Sequence, residues 1–442
     1  MVRSVMDDTL TAAIRAAGKA MRDTIVADLQ ALVRIPSWSP AVGGPGERGV
    51  QEYLAAAYES LGCRVSLWEP ESARILSRYP SARLSVQAPE YTGRPNLVAL
   101  LPGSEEAPDD RTAGIILNSH ADTVPPGPPE AWPYNPLDAV IADGRIHGLG
   151  AADAKGGLVT FLGALRILSA AGIILRRSVM VQSVVDEEMG GAGALACVER
   201  GYRAPVALVG EPSGLRVCPA SRGSYSFTMN VTGRKAHPGS PWHGINAADM
   251  AFRCIDALRA MQRRLDRERM HPFWAPLPMG HVWNVMAVNT GPSGRAIPDS
   301  CSVSISAGAI AGEDAEMVRG FVAEALAVAA IDDPWLTSHP PEVIWTGLQA
   351  DAAAVDPNHP AIAQMIEAAQ VLGMDPGPPV AFSAVTDGRH LTNLGGVPCI
   401  NFGPGDIGIC HSPHESLPLD QLITGSTWVA LLLTSYLGVA TR

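Results

Sequence analysis

Histidines and carboxylates stand at the ends of several short apolar runs in this sequence, which is where a fold can bring them together. His120-Ala-Asp122 follows the apolar run 115–117, and in an extended chain these two side chains point to the same side. Asp153 lies between the glycine-rich Gly148-Leu149-Gly150 and a helical pattern that begins at Gly156. Asp186-Glu187-Glu188 follows the run 179–185, Gly210-Glu211-Pro212-Ser213 follows 206–209, and Cys410-His411-Ser412-Pro413-His414-Glu415 comes near the C-terminus. Adjacent carboxylates repel unless solvent screens them or a cation neutralises them. Taken singly, the His-x-Asp reads as an ordinary loop and the acidic triplet as a solvated turn. Together they point to a metal centre. Carboxylate oxygens and imidazole nitrogens without a thiolate suit zinc, cobalt or manganese, with room for a bridging water. Gly148-x-Gly150-x-x-Asp153 has the outline of a dinucleotide loop, but an aspartate in place of the third glycine repels a pyrophosphate.

These residues need a scaffold, and the hydrophobic pattern supplies one. Helical periodicity covers 10–32 and 50–61, and short buried strands are expected at 64–68, 97–101 and 114–118. A helix at 156–171, a strand at 179–185, a helix at 192–200 and a strand at 206–209 then alternate. That alternation describes an α/β fold with a mostly parallel, helix-covered sheet. From Ser221 the texture changes to strands at 224–232, 282–289 and 301–307 with helices at 246–265 and 315–329, as in a separate α+β unit inserted into the first. The earlier pattern resumes with a helix at 362–372, a strand at 398–402 and a helix at 419–437. The expected division is a catalytic domain at 1–219 and 346–442, interrupted by a smaller domain at 220–345.

Composition narrows the partners. Lys and Arg total 33 against 44 for Asp and Glu, giving a net charge of -11, and no basic block follows a nucleic-acid backbone. The apolar stretch 428–433 and its continuation are too short and too interrupted for a bilayer span, which needs roughly 20 residues. Neither nucleic acid nor membrane is expected. The N-terminus lacks the apolar run of a secretory signal, and the seven cysteines include no CxxC pair. A cytoplasmic protein with buried thiols is the expectation.

HADTVPPG, GRIHGLGAADAKGG, the Asp-Glu-Glu triplet, GEPS, KAHPGSPWHGINA and FGPGD followed by CHSPHE occur in the order and spacing of a known family. The chain resembles, over nearly its whole length, the dinuclear-metal peptidases and deacylases that include acetylornithine deacetylase, succinyl-diaminopimelate desuccinylase, aminoacylase-1 and the glutamate carboxypeptidases. The resemblance implies a zinc-peptidase-like catalytic domain with an inserted dimerisation or lid domain. It implies that Asp153 bridges two divalent ions, most simply zinc, with His120 and Glu211 on one and Glu188 and His411 on the other. Glu187 would be the general base, Asp122 the carboxylate behind His120, and His237 a group that reaches the active site of the partner in a homodimer. His414 is the alternative to His411; the family's pattern, a histidine four residues before a glutamate, favours His411. The activity implied is amide hydrolysis of an N-acyl amino acid or related small N-acyl amine. A dipeptidase or carboxypeptidase is the alternative, and a catalytically inactive binding relative the remote one, since none of the six central positions is lost.

One departure bears on the substrate. Where many relatives carry an Asn before a Val/Ile-Pro pair and an Arg further on, together gripping the substrate carboxylate, this chain has Arg295 and Gly308. Either Arg295 takes over the carboxylate, as an Arg in a partly covered cleft would favour, or the substrate has no such carboxylate.

Overall fold

The computed structural model describes residues 8–86, 90–105, 109–291 and 294–440. The chain forms two compact units, one made of Met1–Ala220, Ala354–Phe382 and Thr386–Arg442, the other of Ser221–Ala353 and Ser383–Val385. The expected return to the first domain at 346 falls inside the strand Glu342–Ala350. The second unit therefore runs on to Ala353.

A six-stranded sheet organises the first unit, in the order Arg64–Trp68, Asn96–Leu101, Val179–Val184, Ile115–His120, Ala207–Val209, Cys399–Asn401. The first two pairings are antiparallel and the remaining three parallel. Ile115–His120 and Val179–Val184 are buried at every residue, so neither alternates between apolar and exposed polar positions, and the polar Asn118 and Gln182 within them are hydrogen-bonded to each other. Helices Lys155–Ala170 and Leu419–Leu437 are buried along most of their length. Trp428 has no exposed surface; its indole N–H donates to the Met365 carbonyl at 2.9 Å, and Phe402 meets its ring edge-on. The apolar C-terminal stretch is thus a core helix. Among the described residues no helix is long and apolar enough to cross a membrane.

The periodic stretch expected as one N-terminal helix is two, Asp8–Ala20 and Arg22–Arg34. Gly18 lies against Thr427, where a Cβ would come within 2.6 Å of the hydroxyl. The first helix is thereby held to the terminal helix, and the chain turns at Met21 before the second begins. Hydrophobic period alone does not register such a break.

In the second unit four antiparallel strands lie in the order Trp283–Asn289, Ser300–Ala309, Gly223–Thr232, Glu342–Ala350. Tyr225, Phe227, Met229 and Val231 alternate with polar residues along Gly223–Thr232, and with Val303 and Ile305 they form a core with helices Ala247–Glu268 and Ala315–Ala330. The strand Glu342–Ala350 has no simple alternation because its register shifts between Trp345 and Gln349, with Gly347 at φ 67°. The bulge hides the strand from sequence patterning.

Candidate metal centre

Three parallel neighbours of the central sheet end on the same edge. Ile115–His120 delivers His120, Val179–Val184 leads into Asp186-Glu187-Glu188, and Ala207–Val209 leads to Glu211. The carboxyl ends of parallel strands are the usual place for a site in such sheets. Asp153 sits just before helix Lys155–Ala170, and His411 enters from the segment after the short 3-10 helix Ile407–Ile409. Ligand atoms of His120, Asp153 and Glu211 lie within 4.8 Å of one another, as do those of Asp153, Glu188 and His411. Asp153 belongs to both groups. His120 Nε2 is 3.1 Å from Asp153 Oδ1; His411 Nε2 is 3.2 Å from Asp153 Oδ2 and 3.0 Å from Glu188 Oε1.

Two observations test whether a cation suits this cluster. His120 Nδ1 lies 3.0 Å from the backbone carbonyl of Asp122, which can only accept, so Nδ1 carries a proton and Nε2 is the nitrogen turned toward Asp153. Burial opposes a charge on His120, but its bonds to Asp122 and Asp153 outweigh that and raise it well above the ordinary histidine range; a divalent ion at Nε2 would take the place of the proton held there. Burial also works against the charged carboxylates: it pushes Glu187 up to about 7, and with Asp153's charge it pushes Glu188 up to about 8. Glu211 is raised well above the ordinary glutamate range, again chiefly by burial. A dication reverses that balance. The donors are imidazole nitrogen and carboxylate oxygen; the neighbouring Cys410 thiol donates to the Asp406 carbonyl instead. The residues fit a pair of divalent ions.

The Asp186–Glu188 turn is held from two sides. Asp122 Oδ1 and Oδ2 accept the backbone N–H groups of Glu187 and Glu188, while Oδ1 also lies 3.5 Å from His120 Nδ1. Asp186, in the left-handed region at φ 67°, is buried and pairs with Arg94 at 2.7 Å. Tyr91 donates to its other oxygen, and Arg94 also grips Glu47. The first acid of the triplet is therefore a structural ion pair. Arg94, Glu47 and Tyr91 escaped sequence reading because their partner lies far along the chain. Glu415, noted in the sequence only as a spacing mark, is 2% exposed and accepts the N–H groups of Gly150, Ala152 and Asp153.

His237 and Arg295 belong to the second unit, and both are exposed there. His237 Nδ1 accepts the N–H of Gly239, which leaves its Nε2 edge outward. At Gly308 a Cβ would meet the Val282 carbonyl at 2.8 Å and Arg222 Cδ at 3.2 Å. Arg222 fills that space and is itself committed to the backbone carbonyls of Gly280 and Ser383.

Comparison with known proteins agrees with this architecture. The N-formyl-4-amino-5-aminomethyl-2-methylpyrimidine deformylase of Halalkalibacterium halodurans is 29% identical over 420 residues, covering 91% of this chain and 92% of that protein. The acetylornithine deacetylase of Klebsiella pneumoniae is 29% identical over 314 residues, covering 69% and 75%. Among solved structures, the aminopeptidase PepT of Bacillus cereus superposes with a TM-score of 0.69 at 20% identity, covering 94% of this chain and 98% of that one; at that identity it speaks for the fold alone. A family model described as peptidase family M20/M25/M40 matches residues 116–435. With that match spanning most of the chain and the named enzymes among its relatives, the protein belongs to peptidase family M20/M25/M40 and is a hydrolase of amide bonds.

Proposed function

We propose that this metal-dependent amide hydrolase removes a short acyl group, formyl or acetyl, from a small amine that carries no carboxylate beside the scissile bond. The observation that carries the hydrolytic reading is Asp153, one carboxylate shared by two groups of candidate ligands. His120, Asp153 and Glu211 would hold one divalent ion, and Asp153, Glu188 and His411 the other. Zinc suits the donor set, with cobalt or manganese as substitutes. When bound, such a pair polarises the acyl carbonyl and makes water acidic enough to attack near neutral pH.

The protein's own residues do the rest. Glu187, outside both ligand groups, takes the proton of the attacking water and returns it to the leaving nitrogen. Asp122 fixes the backbone from which Glu187 extends. His237 donates to the oxyanion as the carbonyl is attacked, across a homodimer formed by the second unit. Support for that assembly comes from the edge strand Trp283–Asn289, which exposes Val285, Met286 and Val288; an apolar sheet edge of this kind calls for a covering partner. Support for the acid-free amine comes from Gly308, where no side chain fits, and from the deformylase relative, whose substrate is a formylated aminomethylpyrimidine by name. A dipeptidase or carboxypeptidase would need an anchor for a terminal carboxylate, for which exposed Arg295 is the one candidate in the altered clamp. Seven free cysteines suit a reducing, cytoplasmic location.

The test is a panel of N-formyl, N-acetyl, N-succinyl and N-carbamoyl amines, each with and without a carboxylate, beside dipeptides, assayed with zinc, cobalt or manganese. Turnover of a formyl or acetyl amine without a carboxylate is expected to exceed that of its acid counterpart. Preference for a carboxylate substrate that collapses in Arg295→Ala would replace this reading with the acid-binding one.

A further inference from the structure

Glu415 comes from the far end of the chain and meets the turn that carries Asp153. The approach is prepared by strand pairing: Ser416–Pro418 runs antiparallel to Arg145–His147, with Ser416 opposite His147. Arg145 reinforces the pair, its Nε donating to Ser416 Oγ at 2.9 Å. Where the strand Arg145–His147 ends, the Gly148 N–H donates to the Glu415 carbonyl at 3.2 Å. The side chain then takes over from the backbone. Its Oε2 accepts the Gly150 N–H at 3.0 Å, and its Oε1 accepts those of Ala152 and Asp153 at 3.0 and 3.1 Å. Three of the roughly four acceptor sites of this buried carboxylate are taken by amides, and Glu415 belongs to neither group of candidate ligands. On the other side, four residues back, the same segment carries His411, whose Nε2 faces Asp153 and Glu188.

We infer that Glu415 is a positioning residue that ties the Asp153 turn to the His411 segment and thereby couples the two ion-binding groups. The inference rests on the two-ion reading above. Asp153 enters both groups, so a turn that loses its clamp displaces a ligand of each ion at once. Glutamine has the right shape but cannot replace the carboxylate: its one oxygen serves two of the amides, and its NH2 meets the third, donor to donor.

Metal binding and amide exchange separate the possibilities. Calorimetric titration of the metal-free protein with Co2+ is expected to show two ions per chain. Glu415→Gln is expected to weaken both by about 10–100-fold, the range for partners of metal ligands, and to change the visible spectrum of the cobalt-loaded protein. Wild-type affinities with an unchanged spectrum, or a loss confined to one ion, would overturn the coupling. Hydrogen exchange in the metal-free wild type tests the clamp without any substitution. Slow exchange at Gly150, Ala152 and Asp153 is expected, and exchange as fast as in an open turn would overturn the clamp. A wild type that binds no metal while those amides stay protected would instead count against the two-ion reading.

Discussion

The carboxylate of Asp122 accepts the backbone N–H of Glu187 at 3.1 Å. Its other oxygen accepts that of Glu188 at 3.0 Å, and its backbone carbonyl receives His120 Nδ1. One residue thus orients a candidate ligand, the proposed base and a ligand of the other group. Asp122→Asn keeps one acceptor and turns an NH2 toward the second amide. We expect kcat to fall about 10–100-fold with a small change in KM; steady-state kinetics with the ions held saturating decide it, and unchanged kcat would remove Asp122 from the positioning of Glu187.

Removing the shared carboxylate should differ from removing a single ligand. Asp153→Ala is expected to lose both ions, while His120→Ala weakens mainly one. Elemental analysis of the purified variants checks this. Full occupancy in Asp153→Ala would end the shared-ligand assignment.

Glu187→Gln preserves shape but cannot accept a proton. Metal content should survive while kcat falls by at least about 10²-fold, the lower end of general acid–base catalysis. Mixing this variant with His237→Ala, itself inactive, should restore activity if His237 works across a dimer, because a mixed dimer has one complete site. Verified subunit exchange with no recovery would place His237 within its own site or outside the reaction.

A pH response is expected from the second unit. His281 is 1% exposed, with Nδ1 3.0 Å from Asp266 Oδ1 and Nε2 3.0 Å from both oxygens of Glu313. Burial disfavours its charge, but the bonds to Glu313 and Asp266 outweigh that and raise it above 6.5. Burial likewise opposes the charge on Glu313, and His281, the Ile310 N–H and Arg269 outweigh it and hold it below 4.5. The histidine's contribution is complete below its unfolded value and is lost as pH rises through the raised one; the glutamate's is present above its unfolded value and is lost in acid. Thermal unfolding of the whole chain should therefore show a decline in Tm, as pH rises beyond the unfolded histidine value, that His281→Gln flattens. Identical slopes in the two proteins would discount the cluster.

Gly308 offers a steric prediction. Gly308→Ala should destabilise by about 1–3 kcal/mol, as overpacking does, because the Cβ meets the backbone carbonyl of Val282 rather than a flexible side chain. Gly308→Arg should fail to create a carboxylate clamp for the same reason. Denaturant unfolding reads the first and acid-versus-amide kinetics the second; a stable Gly308→Arg variant that newly prefers acids would show that the strand can yield.

What sequence alone determined is the chemistry that strands and spacing carry. His120, the Asp186–Glu188 triplet and Glu211 follow stretches rich in apolar residues that read as strands, and the carboxyl ends of neighbouring parallel strands are where such a sheet builds a site. Donor type then follows from side-chain identity, and the metal reading from donor type. Only the tertiary structure decided which of three adjacent acids is structural, because Asp186 meets Arg94 through packing between distant segments. The clamp by Glu415 was equally hidden, since three amides converging on one carboxylate leave no periodicity. Gly308 belongs to the same class: as a letter it reads as a vacant clamp position, yet the Val282 carbonyl has closed the space. Local pattern reports which residues are available for chemistry, whereas close packing between parts of the chain remote in sequence settles which of them are free to perform it.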